Sequence, residues 1–359
     1  MRKKKILFYY SIFMNGGIER VFVNLLNNLN LEKYELILLN ANNKSTFKLR
    51  EEVKNINLDK ARAREGVWAA MKVMKEEKAD ILVAGGCINN ITILLAKKLF
   101  RLKAKTIFSL HAIDRTNIRK KLIRWFYPMA DTVVGINRGS IELTKKISEV
   151  KLKEEKVEII GNPVVDEKMI EMAKEDVNHK WLDGKHKVFT TIGRLSWEKT
   201  QDIMIKALNE VSDKEVKLLI IGEGPDEEKH RELVKELGLE ERVDFIGHKI
   251  NPFKYISRCD GFLLSSKTEG FGMVLVEAMA CRLPVISTKA MPNPEDVIID
   301  GETGLLCEVG DYKGMAKHME TILEDKELRE KLVENSQKTV EKYSVKNSVK
   351  KYEILFDRL

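Results

Sequence analysis

Short runs rich in Ile, Leu and Val alternate with amphipathic helical patterns from one end of the chain to the other, and nothing else in the sequence constrains the fold as much. Strands separated by helices pair in parallel, because the crossover helix returns the chain to the same end of the sheet. Strands are expected at 4–12, 34–41, 79–86, 105–111, 131–136 and 157–160, then at 187–193, 216–222, 243–247, 261–266 and 284–288. Each set can make its own sheet. At 359 residues the chain also exceeds what one hydrophobic core usually serves. Gly161-Asn162-Pro163 lies between the sets, and a glycine followed by an X-Pro step interrupts regular structure. The expected division is therefore a first domain at 1–162, a second at 163–342, and a terminal helical segment at 343–359 that packs back on the first. After the linker, 167–183 reads as a helix stopped by Gly184.

With 43% hydrophobic residues the chain has enough apolar surface for a packed core. Cys87, Cys259, Cys281 and Cys307 are scattered without a CxxC pair, which signals neither a zinc site nor a redox motif and suits a reduced, cytoplasmic compartment. The opening MRKKKILFYYSIF has the basic start of a signal peptide but no long apolar region or cleavage site, so it reads as a first strand. No apolar run approaches the roughly 18 residues a spanning helix needs.

The net charge is +8, and its excess is uneven: ten Lys and Arg fall between Lys97 and Arg124, followed by Trp125, Phe126 and Tyr127. Cations beside interfacial aromatics suit an anionic membrane surface. The alternative is a solvated lysine-rich face.

Gly16 and Gly17 open a helical pattern after the first strand, where backbone N–H groups and the helix dipole can receive an anion; a purely steric role in the turn is the other reading. Gly222-Glu223-Gly224-Pro225-Asp226-Glu227 looks similar, but its acids would repel a phosphate, so it reads as a structural turn with acidic capping. Arg194 and Lys199 lie just beyond the carboxyl end of the second domain's first strand, where open parallel sheets bind ligands. Glu269 precedes Gly270-Phe271-Gly272, which opens a helix carrying Glu277. N–H donors there suit an anion, and carboxylates suit sugar hydroxyls. Glu277 sits among apolar neighbours, which argues for a ligand partner; a solvated helix side is the alternative.

Taken in order, Gly16-Gly17-Ile18-Glu19, Gly193-Arg194-Leu195 with Lys199, and Glu269-Gly270-Phe271-Gly272 with Glu277 at an E-x7-E spacing resemble the retaining glycosyltransferases of family 4, across nearly the whole chain. The resemblance implies an α/β GT-B fold: two Rossmann-like parallel-sheet domains facing a central cleft, acceptor bound by the first and nucleotide sugar by the second. It implies that Glu277 meets the ribose hydroxyls and that Glu269, with the N–H groups of Gly270, Phe271 and Gly272, holds the donor sugar. Arg194 and Lys199 would neutralise the leaving diphosphate, which Gly16 and Gly17 also approach, and His111 would lie near donor and acceptor. The base would meet residues 247–250. The family often has a Gly-Pro pair before a Glu where this chain reads Ala290-Met291-Pro292-Asn293-Pro294-Glu295, without the glycine.

The implied reaction moves a hexosyl or N-acetylhexosaminyl group from a nucleotide sugar, UDP-linked, to a saccharide hydroxyl with retention. It needs neither metal nor other cofactor. The implied partners are the donor, a lipid-linked saccharide acceptor and an anionic membrane surface, with no nucleic acid. The setting is bacterial surface-polysaccharide assembly on the inner face of the cell membrane. A sugar-nucleotide epimerase of the same fold is the rival enzyme. A basic nucleic-acid-binding protein is the rival from another class, but its phosphate partner would be repelled by the paired glutamates.

Overall fold

The computed structural model describes residues 2–14, 16–60, 63–111, 116–290 and 297–359. The strands of the first unit are β1 (Lys4–Tyr9), β2 (Ile12–Phe13), β3 (Tyr34–Asn40), β4 (Asn42–Asn43), β5 (Lys54–Asn57), β6 (Ile81–Gly85), β7 (Lys105–Leu110), β8 (Thr132–Gly135) and β9 (Val157–Ile159). Seven of them make a parallel sheet in the order β5-β3-β1-β6-β7-β8-β9, with β2 and β4 a small side pair. The second unit holds β10 (Val188–Ile192), β11 (Lys217–Ile221), β12 (Val243–Phe245), β13 (Gly261–Leu264), β14 (Val285–Thr288) and β15 (Leu305–Cys307), ordered β12-β11-β10-β13-β14-β15. Both are doubly wound sheets whose order reverses beside the first strand, between β1 and β6 and between β10 and β13.

Central strands covered on both faces should read as continuous apolar runs, and they do. Ile6 to Tyr9, Leu36 to Leu39 and Ile81 to Ala84 are all buried, as are Leu218 to Ile221 and Phe262 to Leu264. Every expected strand run contains a strand. β4, β5 and β15 were not expected, and all three are short. β5 (KNIN) has mostly exposed polar residues at the sheet's edge, so it shows neither alternation nor an apolar run.

The units are Met1–Val164 with Ser344–Leu359, and Val165–Tyr343. The break after Val164 comes two residues later than 162, and the return at Ser344 one later than 343. The helix Val345–Arg358 starts at Ser344, whose hydroxyl accepts from the Asn347 amide at 3.2 Å. Its Phe356 packs edge-on to Phe8 and Tyr34, and its Ser348 hydroxyl donates to the Gly161 carbonyl at 2.8 Å. Burying that phenyl ring stabilises the attachment by about 2 kcal/mol.

The helix expected over 167–183 is shorter, Glu167–Lys174. Beyond it His179 fixes an irregular segment, Nε2 to the Asp244 carboxylate at 3.2 Å and Nδ1 accepting from the Trp181 amide at 3.2 Å. Side chains took the place of helix periodicity there.

Candidate active site

In the second unit the site forms where the sheet order reverses. The loop leaving β10 is fastened to the loop leaving β13 by backbone and short polar side chains. The Ser265 hydroxyl bonds the carbonyls of Lys199 and Thr200 at 2.8 and 2.7 Å, and the Thr200 hydroxyl donates to the Ser265 carbonyl. The Lys267 amide donates to the Glu198 carbonyl at 2.8 Å. Across this junction Lys199 pairs with Glu269, which also accepts from the Ser266 hydroxyl at 3.2 Å. Both partners are mostly buried, so the Coulomb attraction is less screened than at a surface pair. Lys199 and Glu269 are thus brought together, one holding the other.

Arg194 lies on the same loop with an exposed side chain, while its carbonyl is held by the Gln201 amide at 3.0 Å. Among the described residues no carboxylate is within ion-pair distance of it. Gly270, Phe271 and Gly272 lead into the helix Met273–Ala280, with Gly272 at φ +76° as its N-cap, a conformation that favours glycine. Phe271 turns its ring inward, edge-on to Tyr343 at 4.7 Å, leaving its backbone to the loop. Glu277 is only 3% exposed, which removes the solvated-side reading. It is a buried carboxylate in a helix otherwise lined by Leu275, Val276, Ala278 and Met279.

The glycines of the 222–227 turn have the structural role expected of them. A Cβ on Gly222 would lie 1.9 Å from the Gly193 carbonyl oxygen, and one on Gly224 2.1 Å from that of Leu195. The helix start is acidic as expected, with Glu227 and Glu228 in its first turn, but Asp226 at the N-cap makes no side-chain cap bond, and Glu227 pairs with Arg231. Glu223 reaches the 247–250 loop, accepting from the His248 amide at 3.1 Å.

In the first unit the counterpart lies beside β1, β6 and β7. Gly16 is the N-cap and Gly17 the first residue of the helix Gly17–Asn28. The third helical residue, Glu19, folds its carboxylate back over this start, accepting from the Met14 amide at 3.2 Å. Burial pushes its carboxyl above the usual range, opposed by bonds from its own amide and that of Met14. The N-terminus read as an anion cradle therefore already carries a carboxyl group. His111, at the end of β7, is buried with Nε2 2.8 Å from the Ser109 hydroxyl and its ring edge-on to Phe22. Burial drives its imidazole down from 6.5 to about 4, with Asn162 opposing, so it is neutral near pH 7. Its Nδ1 has no partner of hydrogen-bonding geometry among the described residues. Gly85 makes room: a Cβ there would lie 3.3 Å from the His111 ring.

Sequence reasoning did not single out Ser265, Ser266 and Thr200, or Ser109 and Asn162 beside His111. Serine and threonine at strand ends are too common to stand out, and Asn162 was read as linker. Asn15, Ala112 to Arg115 and Met291 to Glu295 lie outside the described residues, and with them the loop that lacks the glycine.

Two family models cover most of the chain: glycosyl transferases group 1 over residues 172–339, and glycosyltransferase family 4 over 15–168. The chain is 31% identical over 299 residues to the N-acetyl-alpha-D-glucosaminyl L-malate synthase of Bacillus anthracis, covering 79% of this chain and 76% of that protein. It is 34% identical over 222 residues to a Campylobacter jejuni enzyme, the N-acetylgalactosamine-N,N'-diacetylbacillosaminyl-diphospho-undecaprenol 4-alpha-N-acetylgalactosaminyltransferase, covering 62% of this chain and 58% of that one. Its fold matches that of Anabaena HepE, crystallised with UDP, at a TM-score of 0.83 and 20% identity over 99% of this chain and 100% of that one. With paired α/β sheets of GT-B type and both halves of the family matched, the chain belongs to the group 1, family 4 glycosyltransferases and is an enzyme of that class.

Proposed function

We propose that this glycosyltransferase moves a hexosyl or N-acetylhexosaminyl group from a UDP sugar to a hydroxyl of a lipid-linked saccharide, retaining the anomeric configuration, in bacterial surface-polysaccharide assembly. The observation that carries this reading is the Lys199 and Glu269 pair at the reversal of the second sheet, with buried Glu277 on the helix that the Gly270 to Gly272 loop opens. The Campylobacter relative is named for a diphospho-undecaprenol substrate, and HepE was crystallised with UDP, which supports the choice of acceptor and nucleotide.

As the sugar–phosphate bond breaks, negative charge grows on the diphosphate and oxocarbenium character on the anomeric carbon. Arg194 and Lys199 oppose the first, helped by the N–H groups of Gly270, Phe271 and Gly272, so the site acts without a metal. Glu269 receives donor-sugar hydroxyls while it holds Lys199 in place. Glu277 receives the ribose hydroxyls. His111, neutral and anchored through Ser109, lines the acceptor side of the first unit and serves to position rather than to take a proton. No protein group is assigned as base, since the leaving phosphate can accept the acceptor's proton. The enzyme works peripherally at the inner face of the cell membrane.

Thermal shift with UDP, GDP and ADP sugars tests this. UDP sugars at a hundredfold excess over Kd should stabilise by about 2.7 kcal/mol. Glu277→Ala should lose most of that shift, because hydrogen bonds to a charged acceptor are worth about 1.5 to 3 kcal/mol each. A shift with GDP or ADP sugars alone, or an unchanged UDP shift in the folded variant, would overturn the assignment.

A further inference from the structure

The first unit exposes more apolar surface on one flank than a solvated face needs. The helix Cys87–Leu99 connects β6 to β7, and the helix Asn117–Phe126 connects β7 to β8. Consecutive right-handed crossovers between neighbouring parallel strands put both helices on one side of the sheet. They also run the same way. The Cys87 thiol meets the Arg119 carbonyl at 3.9 Å near their starts, and the Lys98 ammonium meets the Met129 sulfur at 3.2 Å near their ends.

Ile88, Leu95 and Leu99 follow one another at helical spacing on the first helix and are all exposed. Ile118 and Trp125, seven residues apart on the second, are 74% and 70% exposed, and Met129 continues their line. Two parallel apolar stripes therefore face outward from adjacent helices. This corrects the expectation that Trp125, Phe126 and Tyr127 act together: Tyr127 is buried against Phe108, and its hydroxyl accepts from Asn90 at 3.0 Å.

Charge surrounds the stripes. Between Asp80 and Asp131 the chain has a single acid, Asp114, which lies outside the described residues. Some of the basic stretch is internally paired: Lys97 with Asp131 at 2.6 Å and Arg124 with Glu149 at 2.7 Å. Arg101, Lys103 and Lys121 are exposed, with no carboxylate within ion-pair distance among the described residues. Protein interfaces are depleted in lysine, whereas an anionic bilayer takes unpaired cations at the head groups and apolar side chains, tryptophan especially, just beneath.

We propose that this two-helix flank docks flat on an anionic lipid bilayer, with Ile118 and Trp125 inserted below the head groups and Arg101, Lys103 and Lys121 at the head-group level. The proposal deepens the lipid-linked-acceptor reading of this protein, but it does not depend on the donor chemistry. Among the described residues no helix is long and apolar enough to cross a membrane, so the contact is interfacial. It has two parts of different physical origin. The Coulomb part fades within a Debye length of roughly 8 Å at physiological salt, and the inserted apolar part does not.

Flotation of the full chain with acceptor-free vesicles separates the two. The parent should float with phosphatidylglycerol-containing vesicles and far less with phosphatidylcholine alone, and part of the binding should survive high salt. Arg101→Ser with Lys103→Ser and Lys121→Ser should lower partitioning about fivefold per cation. Ile118→Ser with Trp125→Ser should bind at low salt and release fully at high salt. The parent's tryptophan emission should shift to the blue on vesicles, and Trp125→Phe should abolish the shift. UDP thermal shift in the same samples reports the fold and the donor site. Failure of the parent to float with nucleotide binding intact, or parent-like partitioning of the Ile118/Trp125 variant, overturns the docking surface alone. A parent dimer that this variant splits, without vesicle binding, reassigns the flank to a contact between copies and likewise overturns it.

Discussion

Both sheets reverse their strand order beside their first strand, yet the side chains that stand at the two edges differ in charge. In the second unit the loop leaving β10 is joined backbone to backbone to the loop leaving β11. The Gly193 amide donates to Ile221, the Leu195 amide to Glu223 and the Asp226 amide to Leu195, at 3.0 to 3.1 Å. Arg194 and Lys199 stand on that frame, and Glu269 on the loop leaving β13, which Ser265 and Thr200 fasten to it. In the first unit the loop leaving β1 is likewise joined to the loop leaving β3, the Ala41 and Asn42 amides donating to the Ser11 carbonyl at 2.9 and 3.1 Å and the Lys44 amide to that of Phe13 at 2.8 Å. The side chains there differ: Glu19 folds over Gly16 and Ser109 holds His111, with no ion pair at either place among the described residues. The same topology thus supports a charged edge and a nearly neutral one. A group that must oppose charge appearing on a diphosphate gains from the first kind, because preorganised dipoles need not reorganise as the reaction proceeds.

The sharpest test of the two edges is an added methyl at a glycine turn of each, which meets backbone in one and a side chain in the other. Gly222→Ala puts a Cβ 1.9 Å from a carbonyl oxygen that the zipped loops cannot move, at φ +139°. A loss of more than about 4 kcal/mol is expected, enough to unfold the second unit. Gly16→Ala meets only the Glu19 carboxylate, at 2.5 Å, and that flexible side chain can swing away. Its loss should stay near 1 kcal/mol. Urea unfolding of both variants measures the difference; similar losses would mean that the two turns accept a side chain equally.

Next in size is the charge itself. Arg194→Ala with Lys199→Ala should reduce kcat by about 10² to 10³, the range seen when one preorganised group is removed from a developing anion. Lys199→Ala alone should be the more disruptive single change, since it strands the mostly buried Glu269 without its cation. Restored turnover in Lys199→Ala with Glu269→Gln, compared with Lys199→Ala, would show that the stranded carboxylate caused part of the loss. Near-normal turnover in the Arg194/Lys199 variant rules out the clamp.

The two edges also show where the sequence is hard to read. Buried parallel strands announce themselves as apolar runs, so the main strands of both sheets were legible. The charged edge was legible too, because its glycines and charges sit at fixed spacings on one loop or one helix. What stayed hidden depends on partners distant in sequence. Lys199 was read as a free clamp, yet it pairs with a residue 70 positions on. Glu19 stands out in the sequence only as part of a motif, and its fold-back over Gly16 is a side-chain choice that spacing does not reveal. On the basic stretch, charge was visible, but the partners Asp131 and Glu149 lie beyond its end, and the burial of Tyr127 needs the neighbouring Phe108 and Asn90.

The smallest expected effect tests the neutral side of the contrast through pH. His111 has its pKa lowered to about 4 by burial, against 6.5 when unfolded. Above pH 6.5 the imidazole is neutral in both states and stability does not depend on it. As pH falls below 6.5 the unfolded chain takes up a proton that the folded one refuses, so stability is lost progressively until pH reaches about 4. The loss attributable to His111 should be about 2 kcal/mol by pH 5, one pKa unit being worth about 1.4 kcal/mol. His230, buried in the second unit, is also lowered and adds a loss of the same sign. Comparing the parent with His111→Gln cancels that contribution and those of the carboxylates. If Gln is less stable at pH 7, its deficit should shrink by about 2 kcal/mol at pH 5. A deficit that stays constant with pH means that His111 can take up a proton in the folded state, and its place as a neutral positioning group is lost.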